Sequence, residues 1–286
     1  MIVSGAGSRI LTAMDLFEPI LAALREPEPA RKAAQAGALH QAWRSGELAA
    51  QGGGVPECLP APGRPERPLL VAPQEVPRRN PRSRLGHAAL LHAMAHIEFN
   101  AINLALDAAY RFRDLPHAYY GDWLQVAVEE ARHFSLLRGH LQSLGYDYGD
   151  FPAHDGLWEM AVKTAHDALV RMALVPRVLE ARGLDATPAI RAKLLDIGDA
   201  QAAAILDVIE RDEVGHVAIG NRWYFHLCEE RGLEPLETFR QLIKQYDAPP
   251  LRPPFNWAAR TRAGFRAEEL AWLHALETAR QPQPPR

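Results

Sequence analysis

The segment RDEVGHVAIGNRWYF, residues 211–225, decides the fold that we expect of this chain. It contains Glu213 and His216, and on an α-helix this spacing places both side chains on one face, where they can bind the same metal ion. The apolar residues of this region, including Leu206 and Val217, fall on the same helical stripe. The segment therefore predicts a long helix that directs a glutamate and a histidine into the core.

The same pattern also occurs earlier in the chain. In the segment EEARHF, Glu130 and His133 repeat the spacing and again lie on an apolar helical stripe. Each pair is preceded, at nearly the same distance along the chain, by a single glutamate on the preceding predicted helix, Glu98 or Glu180. One Glu-x-x-His sequence in a helical protein is weak evidence of a site, whereas the repeat of a whole helix pair is much stronger evidence.

Glu98 lies at the centre of the face that we expect to be buried on its helix. An isolated buried carboxylate is costly unless it is paired, protonated or bound to a cation. Glu98 taken alone could simply pair with a buried arginine. Two stacked helical hairpins related by an approximate two-fold axis, however, would bring all the repeated side chains together. The predicted metal ligands are Glu98, Glu130, His133, Glu180, Glu213 and His216.

The predicted ligand set consists of four carboxylates and two imidazoles, which is the set used by di-iron and di-manganese carboxylate bundles. Hard oxygen donors with a few nitrogens suit iron or manganese, whereas a structural zinc site would favour thiolates. We therefore expect two iron ions as the cofactor, with manganese as the alternative.

Glu129 and Asp212 each stand immediately before the predicted ligand glutamate of their helix, so they follow the same repeat. Two interpretations of these acids remain open. They could accept hydrogen bonds from the ligand histidines and so orient them, or they could be solvated acids on the surface.

Around these segments the sequence predicts an all-α protein in three parts. Residues 1–83 are expected to form N-terminal helices and a proline-rich arm that packs on the core, although the arm could equally be a loose linker. Residues 84–232 are expected to form a four-helix bundle that holds the two metals. Residues 233–286 are expected to add a C-terminal helical extension.

Periodicity and capping residues predict four helices in the central part. Gly183 is expected to end the third helix, and Thr187 followed by Pro188 is expected to begin the fourth. On the first helix, His92 and His96 fall toward the polar side, where we expect them to contact solvent or a partner. The predicted bounds are 84–113, 119–144, 155–182 and 187–231.

Composition excludes several classes of protein. The 286 residues include 48% hydrophobic and 23% charged residues, which is the mix of an ordinary globular protein. The net charge of −3 provides no global attraction to nucleic acid or anionic lipid, and two cysteines are too few for a disulfide scaffold or a four-thiolate zinc site. We read no signal peptide and no apolar run near the roughly 20 residues that span a bilayer. We therefore expect a cytoplasmic protein without a membrane partner.

Several strings of this sequence resemble a family of bacterial ferritin-like proteins of unknown function, a distant relative of the non-haem di-iron hydroxylase that modifies isopentenylated adenosine in transfer RNA. The resemblance covers roughly residues 10–245 and implies a ferritin-like four-helix core with the same six ligands. The strings that carry it are HAMAHIEFNAINLALDAAYRF, EEARHFSLLRGHLQSLGYDYGDFPAHDGLWE, VLEARGLD and RDEVGHVAIGNRWYF.

These observations together predict a non-haem di-iron oxidoreductase of the hydroxylase type, with dioxygen and an organic substrate as its reactants. The pattern assigns no catalytic residue beyond the metal centre and no other cofactor. Two alternatives remain open, a ferritin-like protein that handles iron or peroxide and a scaffold whose metal is not catalytic. Transfer RNA, through the resemblance, and a second copy of the chain also remain open as partners. The arginines of the proline-rich arm could contact phosphates or could anchor the arm to an acidic surface.

Overall fold

The computed structural model describes residues 13–279, and over this range the protein is mostly helical. The all-α class predicted from the sequence is confirmed. Two short parallel strands, β1 (Met14–Asp15) and β2 (Leu48–Ala49), pair with each other near the N-terminus. Among the described helices, none combines the length and the apolarity needed to cross a membrane.

The bounds of the helices follow the expected arrangement in the first hairpin and differ from it in the third and fourth helices. In chain order the helices are α1 (Phe17–Arg25), α2 (Pro29–Arg44), α3 (Arg84–Arg111), α4 (His117–Ser143), α5 (Gly156–Lys163), α6 (Ala168–Leu174), α7 (Ala181–Asp196), α8 (Ala200–Glu230), α9 (Pro235–Gln245), α10 (Trp257–Arg262) and α11 (Ala267–Ala279). A 3₁₀ turn lies at Pro73–Glu75, and a π-helical segment, Val175–Glu180, joins α6 to α7.

Helices α3 and α4 pack as an antiparallel pair. At one end, the Arg84 guanidinium donates to the carbonyl of Leu144, with 3.3 Å between nitrogen and oxygen. At the other end, the Tyr119 hydroxyl donates to the carbonyl of Ala108 over 3.3 Å. The side chain of Ser83 accepts a hydrogen bond from the amide of Gly86 and so caps the start of α3.

The third helical segment, formed by α6, the π-helical segment and α7, packs antiparallel to α8. Arg191 of α7 forms an ion pair with Asp207 in the first half of α8. At the far end, Gly220 of α8 lies against Pro176, so close that a Cβ built on Gly220 would lie 2.3 Å from the Cβ of Pro176. A glycine at this position therefore allows the two segments to approach each other.

The break predicted between Gly183 and Pro188 is wrong, because α7 continues through both residues. Proline cannot donate an amide hydrogen, so Pro188 leaves the carbonyl of Leu184 without its usual helical partner. The side-chain amide of Asn256 donates to this carbonyl over 3.2 Å, and the Thr187 hydroxyl donates to the carbonyl of Gly183 over 2.9 Å. These two side chains satisfy the carbonyls at the point where the sequence suggested that the helix should stop.

The continuous third helix predicted from residue 155 to residue 182 is also wrong, because a turn separates α5 from α6. Asp167 caps α6 by accepting a hydrogen bond from the amide of Leu169. The buried guanidinium of Arg171 donates to the Thr164 hydroxyl and to the carbonyl of Ala161 at the end of α5. These contacts stabilise a helix end that the apolar pattern did not indicate.

His92 and His96 were expected on a solvent-exposed or partner-facing side of α3, and this expectation is wrong. The two histidines are 1% and 8% exposed, because the loop that follows α4 covers this side of the helix. The amide of Gly149 donates to Nε2 of His92 over 2.9 Å, and Nδ1 of His96 lies 2.9 Å from the hydroxyl of Tyr148. Helix α3 is thus buried on its polar side as well as on its apolar side.

The proline-rich segment contacts the helical core at several points. The indole of Trp158 donates to the carbonyl of Pro60 over 3.0 Å, and Arg64 pairs with Asp155 over 2.7 Å. Further along, the amide of Ala153 donates to the carbonyl of Leu69. These contacts attach the segment to α5 and to the loop before it.

Candidate metal centre

The six predicted ligand residues come from four helical segments. Glu98 lies in α3, Glu130 and His133 lie in α4, Glu180 ends the π-helical segment, and Glu213 and His216 lie in α8. Glu130, His133 and His216 are each 0% exposed, and Glu98 and Glu213 are largely buried. One ligand atom from each of Glu98, Glu130, His133 and Glu213 lies within 4.8 Å of the others. The repeat seen in the sequence therefore becomes a single cluster in the structure.

Glu130 lies between the two histidines of the cluster. Nδ1 of His133 is 3.3 Å from Oε2 of Glu130 and 3.3 Å from Oε2 of Glu98. Nδ1 of His216 is 3.0 Å from Oε1 of Glu130 and 3.5 Å from Oε1 of Glu213. Both imidazoles thus direct Nδ1 toward carboxylate oxygens, and Glu130 presents one oxygen to each of them.

Glu180 reaches the cluster from the π-helical segment. Pro176 cannot donate an amide hydrogen to the carbonyl of Met172, and this interrupts the ordinary α-helical hydrogen bonding just before Glu180. Burial raises the pKa of Glu180 to about 8, and the negative charges of Glu213 and Glu130 act in the same direction. Glu180 is thus near enough to sense the charges of both glutamates, but it lies outside the group of four residues whose ligand atoms are within 4.8 Å of one another. Single π-helical turns within α-helices are frequent at functional sites.

Four polar atoms of the cluster are buried and have no hydrogen-bonding partner among the described residues. They are Oε2 of Glu98, Oε1 of Glu130, Oε2 of Glu180 and Nδ1 of His216. Oε1 of Glu130 and Nδ1 of His216 lie 3.0 Å apart, but without the geometry of a hydrogen bond. Each buried polar atom without a partner costs about 1–3 kcal/mol. Oxygen and imidazole nitrogen are suitable donors for a divalent cation, so a bound cation would satisfy these atoms. The residues present therefore fit a metal site.

Glu129 and Asp212 contact the outer nitrogens of the two histidines. Nε2 of His216 lies 2.8 Å from Oε2 of Glu129, and Nε2 of His133 lies 3.1 Å from Oδ2 of Asp212. Each acid thus contacts the histidine of the other helix. An imidazole that donates its Nε2 hydrogen to a carboxylate keeps Nδ1 free to bind a metal. This geometry favours the first interpretation of the two acids over that of solvated surface groups.

The charges of the cluster depend strongly on one another. Burial and the charge of Glu130 raise the pKa of Glu98 well above its ordinary value, and burial is also the main cause of the raised pKa of Glu213. Burial acts to lower the pKa of His133, but its close contacts with the carboxylates of Glu130 and Glu98 raise it to about 11. Imidazolium and carboxylate groups therefore neutralise each other in the described structure. A divalent cation would take over this role by displacing protons from the ligands.

A second group of metal-binding side chains was not anticipated from the sequence. His87, His140 and Asp199 each offer a ligand atom, and these three atoms lie within 4.8 Å of one another. The three residues come from three different elements and share no local spacing. The available signal is only that each lies at the end of a helix, which is too general to identify a site.

Comparison with known proteins identifies a family. A family model described as "Protein of unknown function (DUF455)" matches residues 25–271. The chain is similar to an uncharacterized protein of Haemophilus influenzae, with 54% identity over 220 residues that cover 74% of this chain and 76% of that protein. No solved structure matches the chain. The ferritin-like relationship implied by the resemblance goes beyond these matches.

Proposed function

The chain belongs to the DUF455 family, and we propose that its buried cluster is the non-haem di-iron centre of an oxidoreductase that uses dioxygen to hydroxylate or desaturate an organic substrate. One observation carries this proposal: four glutamates and two histidines converge in the interior, and four of their polar atoms have no hydrogen-bonding partner. Such a set matches the ligands of di-iron carboxylate proteins.

We also propose that α3, α4, the α6–α7 segment and α8 form a ferritin-like four-helix bundle. Two antiparallel pairs support this arrangement, α3 with α4 and α7 with α8, and α4 also packs against α8. The ligand pattern supports it as well, because each pair contributes one single glutamate and one Glu-x-x-His sequence.

The contacts suggest how the ligands would be divided between two ions. Glu98 and His133 would hold one ion, and Glu180 and His216 would hold the other. Glu130 and Glu213 lie between these groups: Glu130 contacts both histidines, and Glu213 lies near His216 while sharing the 4.8 Å cluster with Glu98 and His133. The two glutamates of the Glu-x-x-His sequences would therefore contribute ligand oxygens between these two groups of residues.

When bound, two ferrous ions would supply the electrons that reduce dioxygen. The protein residues have three further tasks. The four carboxylates supply negative charge that balances the ions, and Glu129 and Asp212 orient the histidines through Nε2. Buried apolar side chains one helical turn from the ligands exclude water from the reacting centre, and they include Ile102, Val126, Ile209 and Val217.

The experiment that tests this proposal is the metal content of the full chain, purified under reducing and anaerobic conditions. We expect about two irons per chain and a near-ultraviolet absorption band that appears when air is admitted. If the chain instead contains two manganese ions and does not react with oxygen, the oxygenase proposal is contradicted and redox-neutral chemistry is favoured. Failure to take up iron or manganese on reconstitution would contradict an enzymatic metal centre and would favour a scaffold.

A further inference from the structure

A second cluster lies where three helix ends meet, away from the glutamate-rich centre. His87 is in the first turn of α3, His140 is in the last turn of α4, and Asp199 caps the start of α8. His140 follows the ligand His133 by two helical turns, which corresponds to about 10 Å along the helix axis. The cluster shares no residue with the centre described above.

The three side chains converge on one carboxylate oxygen. Nε2 of His87 and Nε2 of His140 each lie 2.7 Å from Oδ2 of Asp199. Nε2 of His140 has hydrogen-bonding geometry toward this oxygen, whereas Nε2 of His87 is buried and has no hydrogen-bonding partner despite the short distance. Contacts within the described protein therefore leave one imidazole nitrogen of the cluster unsatisfied.

Asp199 is held in a fixed orientation that leaves one oxygen for the cluster. Its Oδ1 accepts a hydrogen bond from the amide of Ala202 over 2.8 Å, as a helix cap does. Oδ2 is therefore left to face the two histidines, and the carboxylate is the form in which aspartate binds a metal.

The cluster is buried but has one open edge. The side chains of His140 and Asp199 are 5% and 8% exposed, whereas that of His87 is 17% exposed. Burial in a medium of low dielectric constant strengthens the interaction between a cation and its ligands, and His87 is the most exposed of the three side chains.

We propose that His87, His140 and Asp199 bind a divalent transition metal ion, with zinc as the best match. Two imidazoles and one carboxylate form a protein ligand set that zinc uses, with a water molecule or a substrate as its fourth ligand. This set differs from the glutamate-rich centre, where oxygen donors outnumber nitrogen donors and suit iron or manganese. A zinc ion at this place joins the start of α3, the end of α4 and the start of α8.

The test is a titration of the metal-free full chain with zinc in competition with a chromophoric chelator. The variants are His87→Gln and His140→Gln. The matched control is His274→Gln, because His274 also faces a carboxylate, at 3.9 Å from Glu277, but in an exposed i,i+3 pair of α11. We expect each cluster variant to lower the affinity for one tightly bound equivalent of zinc by at least roughly tenfold. The control should bind zinc as the unmodified chain does.

Two further variants keep the result interpretable. Asp199→Asn preserves a side-chain oxygen that can cap α8 but removes the charged ligand, so it should fold normally and still lose the same equivalent of zinc. Glu130→Ala should leave this equivalent intact, since it alters only the other centre. Unchanged zinc affinity in folded His87→Gln and Asp199→Asn would overturn the proposal and leave the cluster as a hydrogen-bonding group alone.

Discussion

The two halves of the helical core carry the same ligand pattern but present their single glutamates differently. Glu98 lies within the regular helix α3, with its Oε2 3.3 Å from Nδ1 of His133. Glu180 instead ends a π-helical segment, Val175–Glu180, that contains Pro176. The Oε2 atoms of both glutamates are buried and have no hydrogen-bonding partner among the described residues, so the two differ in backbone and not in this respect. The Glu-x-x-His sequences therefore form the symmetric part of the cluster, whereas the local backbone places each single glutamate.

The two halves also differ in what packs on them. Helices α1 and α2 pack against α3 and α4, whereas α9 packs against α6, and α10 packs against α7 and α8. In the second half, the buried guanidinium of Arg177 pairs with Glu269 of α11 and lies 4.2 Å from the ring centre of Tyr224. The N-terminal part of the chain thus supports the first half, and the C-terminal part supports the segment that carries Glu180.

The largest expected effect comes from breaking the symmetric part of the centre. Glu130→Ala and Glu213→Ala should each abolish tight binding of at least one metal ion, because each glutamate lies between the two groups of ligands. Elemental analysis of the purified variants measures this loss, and circular dichroism should report an unchanged helical content. Glu230→Ala, at the exposed end of α8, is the control and should keep full metal content. Full occupancy in either ligand variant would contradict the ligand assignment.

The symmetric part of the centre could be predicted from the sequence because its signal is local. The spacing of Glu130 and His133 places both on one face of any α-helix, and the apolar stripe indicates which face is buried. Glu129 and Asp212 stand before the two pairs and follow the same repeat. The sequence therefore allowed contacts with the histidines to be proposed, but it did not exclude that the two acids are solvated. Helical periodicity thus accounts for the all-α class and for four of the six residues directly.

The rest of the structure depends on contacts between distant parts of the chain. Local rules place a helix boundary between Gly183 and Pro188, whereas α7 continues because the distant Asn256 amide donates to the carbonyl that Pro188 leaves without its helical partner. His92 lies on the polar side of α3, and only the later loop that contains Gly149 buries it. Pro176 gives a local reason for an interrupted helix before Glu180, but its close approach to Gly220 of α8 is a contact between distant parts of the chain. Tertiary contacts override local preference at each of these positions.

The next largest effect should be a loss of stability when the ion pair between Arg177 and Glu269, which joins α11 to the second half, is broken. Glu269→Ala leaves the guanidinium of Arg177 buried without its partner, and breaking a buried ion pair costs about 3–5 kcal/mol of the free energy of unfolding. Denaturant unfolding measures this change. Glu237→Ala provides the comparison, because its pair with Arg240 is exposed and such pairs contribute about 0–1 kcal/mol. Equal stability of the two variants would show that the C-terminal helix does not support this half.

The stability of the first half should depend on pH, because the loop that follows α4 buries His92 there. Burial lowers the pKa of His92 to about 4, and the nearby His96 acts in the same direction. Between this value and about 6.5 the unfolded chain binds more protons than the folded chain, so stability falls as the pH falls through that window. One such group contributes up to about 1.4 kcal/mol per pH unit. Protonation also removes the acceptor for the amide of Gly149.

Replacement of this histidine should flatten the pH profile of the metal-free chain. His92→Gln retains an acceptor for the amide of Gly149 but does not titrate, so its free energy of unfolding should fall less between pH 6.5 and pH 4. Unfolding by urea at several pH values measures the slope. His274→Gln, whose native side chain is 67% exposed, should keep the original slope. Parallel profiles for both variants would mean that the covering loop releases His92 before it is protonated.

The smallest expected effect tests whether the close approach of Gly220 to Pro176 positions Glu180. A Cβ at Gly220 would lie 2.3 Å from the Cβ of Pro176, so Gly220→Ala should cost about 1–3 kcal/mol through overpacking and should displace the π-helical segment. Gly215 lies on the same helix, and a Cβ built on it would meet no atom within 4 Å. Gly215→Ala should therefore stabilise the chain by about 0.5–1 kcal/mol.

The informative measurement on this pair of variants is metal affinity rather than stability. If the contact between α8 and Pro176 places Glu180, Gly220→Ala should lower the affinity for one metal ion and leave unchanged the affinity for the ion held by Glu98 and His133. Gly215→Ala should leave both affinities unchanged. If Gly220→Ala lowers stability and both ions remain bound with unchanged affinity, the π-helical segment adapts to the displacement. Glu180 would then reach the centre through the flexibility of its side chain, and the two halves would be equivalent in function despite their different backbones.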